Sequence, residues 1–205
     1  MTRRLAVIAL ALAAVGLSGC VSVFPKSEPA QLYRFEATVP QRPESANKFG
    51  VLKLTSNFVR AAASDRILTV NQSGEVAYIA QTRWVSPASV LFDEEVAKAF
   101  QSAGRARLVS RGEITKAAFA LKLDVVAFEV AYDQGPKAAP QIVVMVRGVL
   151  TNSQDRTVVG DRLFSAKVRA GENRVGAIVP ALNQALSQTM TEIVGWVDAA
   201  PATAE

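Results

Sequence analysis

Three consecutive stretches near the end of the chain alternate in polarity, and this limits the fold more than any other feature. Phe119, Leu121, Leu123, Val125 and Ala127 share one side, while Lys122 and Asp124 take the other. That period of two is what a half-buried strand requires. Ile142, Val144, Val146, Gly148 and Leu150 repeat the pattern after a loop at residues 133–139 that holds Gly135 and Pro136. Residues 157–168 make the third stretch, after a turn at 152–156. Strands joined by such short connections predict an antiparallel meander. The alternation breaks at Phe128-Glu129-Val130, where Glu129 would fall on the apolar side. A bulge, or an exit from the sheet, would repair it.

The segments before this meander are shorter. Residues 32–37 and 49–54 have strand character and are joined by a Pro-rich polar connection at 40–47. Residues 56–65 read as a loop or a short turn of helix. Residues 67–70 and 76–79 flank Asn71-Gln72-Ser73-Gly74-Glu75, a hairpin turn by composition. Ser86 is placed to cap a helix and Pro87 to occupy its first position. Phe92, Val96, Ala99, Phe100 and Ala103 give that helix one apolar face, and Gly104 ends it. A short strand follows at 107–109. The chain closes on a long helix through Val175, Ile178, Leu182, Leu186, Met190, Ile193 and Val197. Asn173 is its expected cap, and Pro180 predicts a kink or a later start. The expectation is an α+β domain: a mostly antiparallel sheet with two helices packed on one face.

The other end of the chain carries a different signal. Arg3 and Arg4 precede 13 apolar or small residues, Leu5 to Leu17, and then comes Leu17-Ser18-Gly19-Cys20. A membrane span needs about 20 apolar residues, so this reads as a signal peptide. An apolar residue, two small residues and Cys form the pattern of bacterial lipoprotein processing, with cleavage before Cys20 and a diacylglyceryl group on its sulfur. The expected organisation is a leader at 1–19, a lipidated tether at 20–30, one domain at 31–198 and a disordered tail at 199–205. Val21, rather than Asp, follows the lipidated Cys and leans toward the outer membrane. Losing Arg3 and Arg4 lowers the formal charge from +5 to +3, no signature of a nucleic-acid partner.

The search for chemistry is mostly negative. The sequence has no histidine, which removes imidazole acid–base work, His-based triads and His-metal ligation. Its single Cys is committed to lipid. There is no P-loop and no G-x-S-x-G motif. Ser45-Ala46-Asn47-Lys48 matches S-x-x-K, but it sits in a Pro-rich loop without a K-T-G partner. Asp93, Glu94 and Glu95 read as a solvated helix start, with a cation site or paired carboxylates as the sharper alternative. Trp84 beside Arg83 is either a recognition contact or a side chain packed under the following helix. No catalytic residue, metal site or cofactor is expected, and the lipidation site is Cys20.

The arrangement resembles the ABC-type transport auxiliary lipoproteins, the lipoprotein component of mammalian-cell-entry (MCE) type lipid transporters. The likeness runs from Tyr33-Arg34-Phe35 to Trp196. It is most specific in the hairpin at 67–78, in Arg83-Trp84-Val85-Ser86-Pro87, in the 121–129 segment and in the terminal helix. Residues 56–65 depart from the family pattern, being Ala-rich without Pro. The resemblance implies a non-enzymatic lipoprotein on the outer membrane, facing the periplasm. Its implied partners are an MCE-domain protein and an inner-membrane ABC permease and ATPase, with lipid as cargo and a homo-oligomer left open. The alternative is an assembly factor or plug for another envelope machine, of the lipopolysaccharide-assembly type. The loops at 56–65 and 133–139, taken to share one end of the sheet, are the expected partner contacts.

Overall fold

The computed structural model describes residues 29–41, 49–109 and 116–201. The leader, Cys20 and Ser45-Ala46-Asn47-Lys48 lie outside the described residues. Among the described residues nine strands join one mixed sheet, accompanied by two helices. The strands are β1 (Gln31–Tyr33), β2 (Phe49–Lys53), β3 (Asn57–Phe58), β4 (Arg66–Asn71), β5 (Val76–Trp84), β6 (Ala106–Val109), β7 (Phe119–Tyr132), β8 (Gln141–Asn152) and β9 (Val158–Arg169). The helices are α1 (Ala88–Ala103) and α2 (Val175–Asp198).

The meander is present as β7, β8 and β9, antiparallel throughout. Its register shifts between Val125 and Ala127. This bulge turns the half-exposed Val126 outward and returns Phe128 and Val130 to the buried side. It lies two residues upstream of the break in pattern, and Glu129 ends half-buried.

The rest of the sheet corrects the expectation of mostly antiparallel pairing. β2, β3 and β4 all run parallel to β7, at Phe119–Leu121, Asp124–Val125 and Val130–Tyr132 in turn. They behave as one interrupted strand laid along the edge of β7 that β8 leaves free. β6 adds parallel to β2, and β1 parallel to β5, while β4 and β5 form the antiparallel hairpin. Alternation of polarity reports which face a residue occupies. It does not report strand direction, so this edge was not legible.

Several element ends moved for reasons visible in the hydrogen bonds. The strand expected at 32–37 stops at Tyr33, and from Glu36 on the backbone N–H groups are taken by helix side chains. Glu36 N donates to Asn183 Oδ1 (3.1 Å), Ala37 N to Glu95 Oε2 (2.8 Å) and Thr38 N to Ser187 Oγ (2.8 Å). This strap crosses between α1 and α2. Residues 56–65 contain β3 and then a tight turn, with Ala62 N donating to Val59 O. Ser86 makes no cap; Pro87 holds the N-cap position, and Ala88 and Ser89 donate to the carbonyls of Ser64 and Ala63. Asn173 is not the cap of α2 either, since Arg174 occupies that place. α2 starts at Val175 and carries Pro180 within it.

Two aromatic groups tie the layers together. Trp84 is 2% exposed and meets Phe35 edge-on at 5.0 Å, so it is a core side chain and not a surface contact. Phe35 and Phe58 both reach Phe128 of β7, and Phe58 meets Phe92 of α1. At the other end of the sheet Trp196 of α2 packs on Phe164 of β9, 5.4 Å between centroids. Its indole covers Gly148 and Gly160, where any β-carbon would approach to 3.0 and 2.8 Å. Glycine there allows the large ring to lie flat on two strands.

Candidate docking site

The parallel pairing of β4 with β7 sets Asn71 beside Tyr132, the last residues of their strands. It therefore brings two hairpin tips together: the 71–75 turn and the 133–139 loop. Between them is a cleft of about 340 Å³ lined by Asn71, Gln72, Ser73, Tyr132, Gly135 and Pro136.

Each tip is braced. Asn71 Oδ1 accepts from Ser73 N, Ser73 Oγ and Glu75 N at 2.7–3.0 Å, closing the first turn on its own side chain. The second loop turns through Gly135 at φ 93°, a conformation that favours glycine. Arg169 of β9 holds Asp133 with both nitrogens, at 2.6 and 2.7 Å, and also bonds Ala139 O. The Arg169 guanidinium keeps the Asp133 carboxyl below the usual carboxylate range, and Asp133 raises Arg169 in return. Gln72 Nε2 donates to Asp133 O (2.6 Å) and so links the tips. Asn173, ahead of α2, accepts from the Tyr132 hydroxyl (2.9 Å) and donates to Pro136 O (2.8 Å). Burial pushes the Tyr132 phenol above its ordinary value, so it stands protonated and donates its hydrogen to Asn173. The result is a braced concave end with an apolar floor and an amide rim, suited to gripping a segment of another molecule.

The other residues singled out from sequence are not brought to this site. Residues 56–65 end with Asp65 O bonded to Trp84 N (2.7 Å) and its carboxylate bridged to Arg83 (2.8 Å). That is the far end of the β4–β5 hairpin, so this loop and 133–139 do not share one end of the sheet. The 71–75 turn takes its place. The Asp93–Glu95 cluster lies past the first turn of α1, and of the three only Glu95 is buried, while Asp93 and Glu94 stay accessible to solvent. Asp93 pairs with Lys53, Glu94 with Arg34, and Glu95 is 2% exposed between Ala37 N and Lys98. Among the described residues no group of His, Cys, Asp or Glu could hold a metal ion. Among them, too, no helix is long and apolar enough to cross a membrane. Sequence reasoning marked both tips but missed Tyr132, Arg169 and Asn173. Only Asn173 carried a signal, read as a cap.

Residues 33–194 match the family model described as ABC-type transport auxiliary lipoprotein component. The chain belongs to this family. It is a family of transport accessories and not of enzymes. Among solved structures, protein XCC0632 from Xanthomonas campestris is similar at 26% identity and TM-score 0.73, over 82% of this chain and 95% of that one. An uncharacterised protein matches at 12% identity and TM-score 0.61, over 83% and 99%. The hypothetical protein CT253 from Chlamydia trachomatis matches at 16% identity and TM-score 0.51, over 74% and 96%. The last two share the fold. No curated protein matches the sequence.

Proposed function

We propose that this auxiliary lipoprotein serves an MCE-type ABC transporter that moves lipid between the inner and outer membranes. In this reading residues 1–19 are removed and Cys20 carries the lipid. Residues 20–30 form a tether of at most roughly 40 Å, and the domain faces the periplasm. Val21 directs it to the outer membrane. The single observation that carries the reading is the family match across nearly the whole domain, joined to the Leu17-Ser18-Gly19-Cys20 signal.

The physical logic is economical. Apolar surface in water costs about 25 cal/mol per Å², so lipid transfer needs a shielded route between membranes. An MCE-domain protein supplies the route, and a tethered domain raises the local concentration of its docking surface at one end. The braced tips at 71–75 and 133–139 are the contact surface. The test is capture of the lipidated protein from gently solubilised envelopes, with mass spectrometry of bound proteins and lipids. An MCE-domain partner is expected. A β-barrel partner with no MCE protein would overturn the reading in favour of an assembly factor.

A further inference from the structure

A second cleft lies where α1 ends against β6, remote in sequence from the hairpin tips. Its volume is about 460 Å³, and it is lined by residues of 97–108, among them Phe100, Gln101, Arg105, Arg107 and Leu108. No acidic residue lines it among the described residues. Asp198 stands behind the wall, where its Oδ1 accepts from the backbone of Arg105 (2.8 Å) and Ala106 (3.1 Å) and fixes the bend that carries the two arginines. Nε of Arg105 is shielded from solvent and has no hydrogen-bond partner among the described residues. A buried donor left so is uncommon and points to a missing acceptor.

We propose that this cleft binds a phosphate ester, with Arg105 and Arg107 on the anion and Phe100 and Leu108 against the apolar part of the molecule. Arginine suits this task because its planar fork matches phosphate oxygens in pairs. The carbonyl end of α1 opposes an anion nearby, so the two positive charges have to outweigh it. A lipid headgroup and free phosphate offer the same chemistry. The choice of lipid rests on the transport reading; the anion site does not.

The experiment is calorimetric titration of the whole lipoprotein in an uncharged detergent. The probes are dihexanoyl phosphatidylglycerol, inorganic phosphate and neutral dihexanoylglycerol. Saturable binding of the phospholipid is expected, weakened about tenfold or more in Arg105→Gln and in Arg107→Gln, the loss expected for one charge-assisted hydrogen bond. Arg107 is exposed, so its variant tests the site even where Arg105→Gln fails to fold. Equal affinity for inorganic phosphate would support the anion site and make free phosphate its ligand. Binding of neutral dihexanoylglycerol as tight as phospholipid, undiminished binding in both variants, or no binding of either phosphate probe would overturn the proposal. The transport reading would survive that failure, because it is judged by the captured partner.

Discussion

Trp196 lies so close to Gly160 that a β-carbon added there would stand 2.8 Å from ring carbon Cζ2. Gly148 and Phe164 lie against the rest of the partly buried indole and limit how far it can yield. Gly160→Ala should therefore cost about 1–3 kcal/mol as an overpacked contact. Trp196→Leu removes the ring, and in that background Gly160→Ala should cost much less. Thermal denaturation of the four proteins checks this. Equal costs in both backgrounds would show that the ring does not set the requirement for glycine.

Glu95 joins the strap of residues 36–38 to α1. Its carboxylate is buried, accepts from Ala37 N–H and pairs with Lys98. Glu95→Ala leaves the part-buried Ala37 N–H without its acceptor and should destabilise by about 1–3 kcal/mol. Glu95→Gln keeps an acceptor oxygen and should lose clearly less. Denaturant unfolding of the two variants measures the difference, and identical losses would remove the hydrogen bond to Ala37 as the cause.

Glu95 also shows where sequence reasoning stops. Its place in an acidic triplet was plain, but its partner Ala37 is 58 residues away. Local pattern cannot see such a bond, so a strap was read as a strand and a buried linchpin as a solvated charge. The meander was legible because inward residues such as Leu121, Leu123, Val144 and Val146 recur at a spacing that only a half-buried strand satisfies. The edge formed by β2, β3 and β4 was not, because each segment is short and its partner on β7 lies far along the chain. The candidate docking end depends on that edge. Both tips were recognisable as turns, and only the Asn71–Tyr132 pairing makes them neighbours.

Asp133 and Arg169 give the 133–139 loop a dependence on pH. Arg169 depresses the folded-state value of Asp133, whose ordinary value is 3.8. A depressed acid contributes fully above its unfolded value and loses that contribution as pH falls through the folded one. The brace should hold at pH 5 and above and weaken only below about pH 4. Amide exchange across residues 132–140, corrected for intrinsic rates, should show new opening between pH 4 and pH 2.5 (on the order of one unit around the acid range). Asp133→Asn should open the loop to the same extent at every pH. Both groups are solvent-accessible, so added salt should shrink the effect. A loop whose protection is independent of pH in the native protein would disprove the brace.

Asn173 holds the tip by two exposed hydrogen bonds, to Tyr132 and to Pro136. Asn173→Ala should lower global stability by no more than about 1 kcal/mol. It should still loosen the 133–139 loop and weaken capture of the envelope partner. Replacing the 71–75 turn and the 133–139 loop with neutral linkers should abolish capture, whereas replacing residues 59–63, at the other end of the β4–β5 hairpin, should not. Full capture by both tip replacements would move the docking surface elsewhere on the domain.

In the proposed reading, Cys20 is what holds these surfaces at a membrane. Acyl chains contribute about 0.8 kcal/mol per buried CH₂, and one chain alone binds only marginally, so lasting attachment through Cys20 would need more than one chain. No helix among the described residues is long and apolar enough to cross a membrane. Cys20→Ala should therefore abolish incorporation of labelled palmitate and shift the protein away from the outer-membrane fraction, toward unprocessed precursor. The fold should be unchanged, since the first strand begins at Gln31, beyond the tether. Palmitate labelling with density-gradient fractionation of the envelope separates the outcomes. A Cys20→Ala protein that still takes up palmitate, or still sediments with the outer membrane, would show that attachment is made by some other part of the chain.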